Sequence, residues 1–230
     1  MRLTYIYHSG FAIEGENFTI IIDYYRDSDG ENDGIVHDSL LHRAGKLYVL
    51  STHSHSDHFN PEILKWKQHR PDIQYIFSRD ILEDRHVRFD GAVYLSPSEL
   101  YHDNTLCIQA FGSTDVGCSF LIEVAGKLIF HAGDLNNWHW KEESTMEESA
   151  EYEAAYLHEL EILARVPRLG REYMLGAEQF VCRFAVGCFA PMHFHDQYEK
   201  AAAFRSFAEK NGSLFIGWSF PGETVELPDY

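Results

Sequence analysis

An apolar run, KLYVLST, flows directly into a cluster of ligand-type side chains, so that residues 51–60 read STHSHSDHFN. His53, His55, Asp57 and His58 fall within six positions. In an extended segment side chains alternate, which points His53 and His55 to the same side. Asp57 and His58 then turn together as the chain leaves the strand. Neutral imidazoles are good ligands for Zn, Fe or Mn, and a carboxylate suits any of them. Four ligands in six residues exceed what one tetrahedral ion takes from so short a piece, so a pair of ions is expected. The plain alternative is a polar loop rich in histidine. If ions are held, the fold must bring other strand ends to this one.

Two later segments have the required form. LIFHAGD, residues 128–134, reads as a strand followed by Gly133, whose freedom permits a tight turn presenting Asp134. CFAPMHFHD, residues 188–196, reads as a short strand ending at His193. In both, an apolar run delivers a ligand-type residue at its C-terminal end, where open sheets carry their sites. The rest of the first half is also strand-like: RLTYIYHS, FAIEG, FTIIIDYY, IQYIFS, AVYLS, LCIQAF and CSFLIEV. Ala125-Gly126 predicts a hairpin between CSFLIEV and KLIFH. PEILKWKQ, with Pro61 suited to a first turn, predicts a helix. Residues 147–165 place Tyr152, Ala155, Tyr156, Glu159, Leu160 and Leu163 at helical spacing. REYMLGAEQFVCRFA and QYEKAAAFRSFAEKN predict two more helices, with CFAPM and SLFIGW as short strands. No linker or repeat divides the 230 residues, so one domain, 1–230, of sheets covered by helices in layers is expected.

Charge narrows the partners. The net charge is −17, from 19 basic and 36 acidic residues, with the densest acidic run at 141–153. A field of that sign repels phosphate backbones, and the scattered arginines and lysines form no patch to offset it. A dedicated nucleic-acid binder is therefore not expected, although a small anionic substrate held by a metal remains compatible. No apolar run approaches the roughly 20 residues that cross a bilayer, and MRLTYIYHSGFAIEG lacks a secretory signal. Cys107, Cys118, Cys182 and Cys188 show no CxxC spacing, which fits reduced thiols and a cytoplasmic location. Aromatic-rich edges permit a homo-oligomer without requiring one.

The order THSHSDH, then GSTDVGCSFLIEVAGKLIFHAGD, then PMHF resembles the metallo-β-lactamase superfamily, across nearly the whole chain. More narrowly it is similar to small bacterial metal-dependent hydrolases related to L-ascorbate-6-phosphate lactonase. IIIDYYRD, residues 20–27, resembles that family's early strand ending in aspartate. The resemblance implies an α/β fold, a four-layer αββα sandwich with a dinuclear site at one edge between the sheets. By it, His53 and His55 hold a first ion, Asp57, His58 and His193 a second, and Asp134 bridges the two. The chain departs from the pattern twice. The third histidine of the first site is missing from the loop GSTDVG, residues 112–117, where Asp115 is the strong ligand available and Ser113 and Thr114 are poor ones. Then ILARVPRLGREY, residues 162–173, leaves only Arg165 and Val166 where family members carry another strand.

The function expected from this is hydrolysis of a small ester, lactone or phosphoester by metal-activated water, with two divalent ions, Zn or Mn. Asp57 doubles as ligand and as the residue that orients the nucleophile or accepts its proton. His8, His195 and Arg168 are candidates for touching substrate, Arg168 because guanidinium suits an anion. His131 and His139 flank the Asp134 loop as candidates for orienting a ligand, and Trp138 and Trp140 for walling the pocket. The rivals are a small-molecule phosphodiesterase or nuclease, an oxygen-reducing di-iron protein, and a metal-binding module or sensor without turnover. A di-iron protein of that kind more often carries glutamate at the position of His55.

Overall fold

The structure, a computed structural model, describes residues 1–28, 33–85, 89–137, 145–164 and 176–228. Strands β1 (Arg2–Tyr7), β2 (Gly10–Glu14) and β3 (Phe18–Ile22) form an antiparallel meander. β4 (Lys46–Ser51), β5 (Gln74–Ser78) and β6 (Ala92–Leu95) continue the same sheet in parallel. A second, antiparallel sheet is built from β7 (Leu100–His102), β8 (Leu106–Phe111), β9 (Ser119–Val124) and β10 (Lys127–His131), with β10 at its edge. β11 (Cys188–Phe189) and β12 (Leu214–Phe215) pair in parallel, and β13 (Thr224–Glu226) adds to β1 at the edge of the first sheet.

Alternation along the strands divides the interior into layers. Ile20, Ile22, Tyr48, Leu50 and Ile76 face Ile108, Phe120 and Ile122 of the second sheet. The intervening Ile21, Val49, Tyr75 and Phe77 face outward under the crossover segments. Those strands are buried on both faces, so they read as continuous apolar runs. Their outer cover comprises α1 (Ile35–Asp38), α2 (Arg79–Arg85) and two 3-10 segments, Leu40–His42 and Pro61–Gln68. On the far side of the second sheet, Phe111, Leu121 and Phe130 pack against α3 (Met146–Leu163) and α4 (Gly176–Arg183) through Tyr156, Leu160 and Phe180. α5 (Tyr198–Ala202) and α6 (Arg205–Lys210) complete the described elements. Helix, sheet, sheet, helix is the expected αββα order. Each fully buried Ile, Leu or Phe is worth about 1.5–3 kcal/mol, so the layer between the sheets is a rigid base for whatever stands at its rim.

Local chemistry explains the boundaries. Ala125 and Gly126, with φ of 49° and 76°, make the two-residue turn joining β9 to β10. Thr145 caps α3, its hydroxyl accepting from the Glu148 amide while the Glu148 carboxylate accepts from the Thr145 amide. α3 buries Tyr156, Leu160 and Leu163, whereas Tyr152 and Ala155 of the expected apolar stripe are exposed. The Glu159 carboxylate instead accepts from the Gly112 amide at 3.1 Å and fastens the loop after β8. Three expectations change. PEILKWKQ is a 3-10 segment, not an α-helix. QYEKAAAFRSFAEKN is broken into α5 and α6. The helix expected over 171–185 is described only as Gly176–Arg183. Arg168, the shortened segment at Arg165–Val166, and Trp138, His139 and Trp140 lie outside the described residues.

Candidate metal centre

The expected ligands converge because six chain segments end at one rim. His8 follows β1, Asp23 follows β3, and His53, His55, Asp57 and His58 follow β4. Asp115 lies in the loop after β8, Asp134 follows β10, and His193 follows β11. Two glycines let these ends meet. Gly117 has φ +77°, and a Cβ there would lie 2.3 Å from the Thr52 carbonyl oxygen and 2.5 Å from the His53 Cβ. Gly133 has φ +55°, and its Cβ would lie 2.9 Å from the Thr52 Oγ1. Both backbones press on the strand end that carries the histidines, and L side chains rarely adopt that conformation.

Three clusters of ligand-type atoms result, each with its atoms within 4.8 Å of one another: His53, His55, Asp115 and Asp134; His58, Asp134 and His193; and His8, Asp57 and His193. Asp134 belongs to two of them. Its Oδ2 is 3.7 Å from His53 Nε2, and its Oδ1 is 3.2 Å from His58 Nε2 and 3.6 Å from His193 Nε2. Asp57 Oδ2 is 3.4 Å from His193 Nε2 and 3.2 Å from His8 Nε2. In the loop that lacks the third histidine, Asp115 Oδ2 is 3.4 Å from His55 Nδ1. Thr114 is used otherwise: its hydroxyl donates to the Asn136 carbonyl at 2.6 Å and accepts from the Asn136 amide at 2.9 Å, tying this loop to the Asp134 loop.

Behind the ligands lies a hub. Asp23 is fully buried, and its Oδ2 meets His58 Nδ1 at 2.9 Å, His131 Nε2 at 2.8 Å and the Thr52 hydroxyl at 2.8 Å. Its Oδ1 accepts from the Thr52 amide at 2.7 Å. Bonding through Nδ1 turns His58 Nε2 toward Asp134, as a carboxylate behind a metal-bound histidine does. Burial opposes ionisation of Asp23, but the His58 and His131 rings outweigh it and hold the carboxyl well below its ordinary range. Burial likewise opposes a charge on His58, yet Asp23 and Asp134 push its pKa up to about 10. The His193 and His8 rings hold Asp57 far below the carboxylate range. His53 is lowered by burial and by the neighbouring His58.

The donor set fits divalent cations. His58 Nε2 is buried with no hydrogen-bond partner, its approach to Asp134 being out of alignment for one. His53 Nε2 and His55 Nδ1 confront each other at 3.1 Å, two imidazole nitrogens that a shared cation would satisfy. Imidazole and carboxylate without thiolate matches Zn, Mn or Fe. The residues fit.

Strain marks the same place. Six described non-glycine residues have positive φ, and four are His8, Asp23, His193 and His195, at 57°, 50°, 61° and 52°. Such conformations cost on the order of 1–3 kcal/mol each and cluster at functional sites. His8 is completely buried: its ring stacks on His195 at 4.1 Å and lies tilted against His193 at 4.0 Å. The substrate contact expected of it is thus corrected to a contact with Asp57, because no face is left to solvent. His195 is exposed beside it. Sequence reasoning noted Asp23 only as a strand end and missed the hub. The signal available was a carboxylate closing a run of three isoleucines, since a charge in so apolar a strand needs buried partners.

Residues 2–150 match the family described as the beta-lactamase superfamily domain. A protein of Desulforamulus reducens named as a metal-dependent hydrolase is 27% identical over an alignment of 148 positions that covers 58% of this chain. The match spans 62% of that relative's own length. Among solved structures, Igni18, a metallo hydrolase from the archaeon Ignicoccus hospitalis, superposes with TM-score 0.68 at 19% identity, covering 100% of this chain and 99% of that one. CmlA, a diiron beta-hydroxylase from Streptomyces venezuelae, superposes with TM-score 0.65 at 14% identity, covering 98% of this chain and 54% of the other. At such identities these structures establish the fold alone. The family match over more than half of the chain and the αββα order agree: this chain belongs to the beta-lactamase superfamily domain family and has the metallo-β-lactamase fold.

Proposed function

We propose that the protein is a metal-dependent hydrolase of a small ester, lactone or phosphoester. The observation that carries the reading is Asp134 shared between two ligand clusters, which suits two divalent cations, Zn or Mn, side by side. His53, His55 and Asp115 would hold one, His58, His193 and Asp57 the other. Bound there, the cations supply Lewis acidity and lower the pKa of water. The chain's own residues do the rest. Asp57 Oδ2, between His8 and His193, is positioned to orient water and take its proton. Asp23 fixes the tautomer and direction of His58. His195, exposed at the rim, is the candidate substrate contact.

The name of the Desulforamulus reducens relative supports hydrolysis over the diiron oxidation named for CmlA. His55, where an oxygen-reducing relative more often has glutamate, points the same way. A lactone or phosphorylated lactone fits the narrower likeness to L-ascorbate-6-phosphate lactonases. A small molecule fits better than long nucleic acid, given the net charge of −17. We take residues 1–230 as one functional unit.

The test is turnover of lactones, nitrophenyl esters and phosphodiesters with Mn or Zn, comparing wild type with Asp57→Ala and His193→Ala. Both changes should abolish turnover of one substrate class. Bound metal without turnover on any class would instead favour a sensor.

A further inference from the structure

A cavity of about 860 Å³ opens beside the centre, between the free edge of β10 and β11. Two unbroken stretches, residues 126–136 and 185–194, form most of its walls. Both run toward the rim, one ending past Asp134 and the other past His193, so the two share one wall each with the ligand clusters. Along its length the cavity is carbon-rich: Phe11, Ile22, Leu128, Phe130, Phe180 and Phe189 are among its lining. At about 3.3 Å per residue, the five strand residues Lys127–His131 span roughly 16 Å, a wall longer than a compact polar substrate. Pockets of roughly 300–1,000 Å³ hold whole organic ligands, most of whose surface they bury. Lys127 and Lys200 line it too, but no carboxylate besides Asp134 does among the described residues.

We infer that the substrate carries a long acyl chain, which lies in this cavity with its carbonyl at the Asp134–His193 end. The inference rests on the hydrolytic reading and narrows it to acyl esters, lactones included. In the step implied, the oxygen of water bonds to the carbonyl carbon and the carbon–oxygen bond to the alcohol breaks. The departing oxygen gains one proton, and the products are a carboxylic acid and an alcohol. A small phosphodiester without an alkyl chain leaves the cavity unfilled, so the cavity favours the acyl class among those proposed. Each methylene moved from water into the cavity should tighten binding by about two- to fourfold.

Two measurements test this and fail separately. Metal-free protein is titrated with a fluorescent undecanoic acid, which is then displaced by butyrate, octanoate or dodecanoate. Dodecanoate should displace at concentrations at least a hundredfold lower than butyrate. Turnover of nitrophenyl acetate and nitrophenyl dodecanoate by the metal-loaded protein gives a second chain-length ratio. Ala190→Phe, which adds a ring inside the cavity, should collapse both ratios, with Leu128→Trp as an independent variant from the opposite wall. Chain-length-dependent binding with no ester turnover would support the cavity and overturn acyl-ester hydrolysis. Ester turnover with no chain-length dependence in either assay would overturn the acyl inference and leave hydrolysis standing.

Discussion

The two halves of the centre are built differently. His58 is fully buried and stands on the hub made by Asp23, Thr52 and His131, and Asp134, 10% exposed, faces its Nε2 at 3.2 Å. His55 and Asp115, by contrast, are 51% and 33% exposed, and His55 Nδ1 lies between Asp115 Oδ2 at 3.4 Å and His53 Nε2 at 3.1 Å. A ligand whose rotamer is locked from behind gives up little entropy when it binds an ion, whereas an exposed one must be ordered at that moment. The half around His58 is therefore preorganised, and the half around His55 would be ordered only on binding an ion. Two cations should accordingly load in sequence, the His58 side first.

The strongest way to break this comparison is at the shared ligand. Asp134→Ala should remove both cations and lower turnover by at least a thousandfold, read by elemental analysis and initial rates. Retention of either cation would sink the idea that one carboxylate serves both clusters.

Asp23→Ala comes next. It leaves His58 Nδ1, His131 Nε2 and the Thr52 hydroxyl buried without their acceptor, a loss of roughly 3–5 kcal/mol. For a chain of this size that corresponds to a fall in Tm on the order of 10 °C, with metal affinity about 10- to 100-fold weaker on the His58 side. An unchanged Tm would mean that the hub does not brace the centre.

Asp115→Ala should be gentler and one-sided. The second equivalent of metal weakens about tenfold while the first is unaffected, as calorimetric titration would resolve. Equal weakening of both equivalents would contradict the two-half description.

Acidity gives the smallest and most graded effect. In metal-free protein the raised pKa of His58, about 10, keeps a proton where a cation must bind. Metal affinity should therefore fall by up to about tenfold per pH unit of acidification through the neutral range. For the metal-free fold the sign is opposite. The His58–Asp23 pair contributes fully below the ordinary histidine value of 6.5, and that contribution is lost as pH rises toward 10. Thermal unfolding at a series of pH values, with and without chelator, separates the two.

Much of this was legible in the sequence because ligand-type residues close apolar strands. His53 to His58 after KLYVLS, Asp134 after KLIFH and His193 after CFAPM all fall where strand ends converge. The hub was not legible, because Asp23, Thr52, His58 and His131 are separated by up to 108 positions and only sheet pairing brings them together. α1, at four residues, and β13, at three, are too short to show a period, and each is set by tertiary partners. In α1 those partners are the Asp27 carboxylate, which accepts from the Val36 and His37 amides. Pro61, suited to a first turn, predicted a helix over 61–68, where the crossover adopts the tighter 3-10 winding, with Tyr75 donating to the Ile63 carbonyl.

The left-handed backbone at His8, His193 and His195 has a practical consequence. Asparagine and glycine accept that conformation readily, whereas β-branched residues resist it. Replacing each imidazole with asparagine therefore deletes the ring while the main-chain path persists, including the His193 amide's bond to the His8 carbonyl. Few sites allow ring chemistry and chain geometry to be varied apart, and here the three neighbouring histidines can be exchanged singly or together as a graded series.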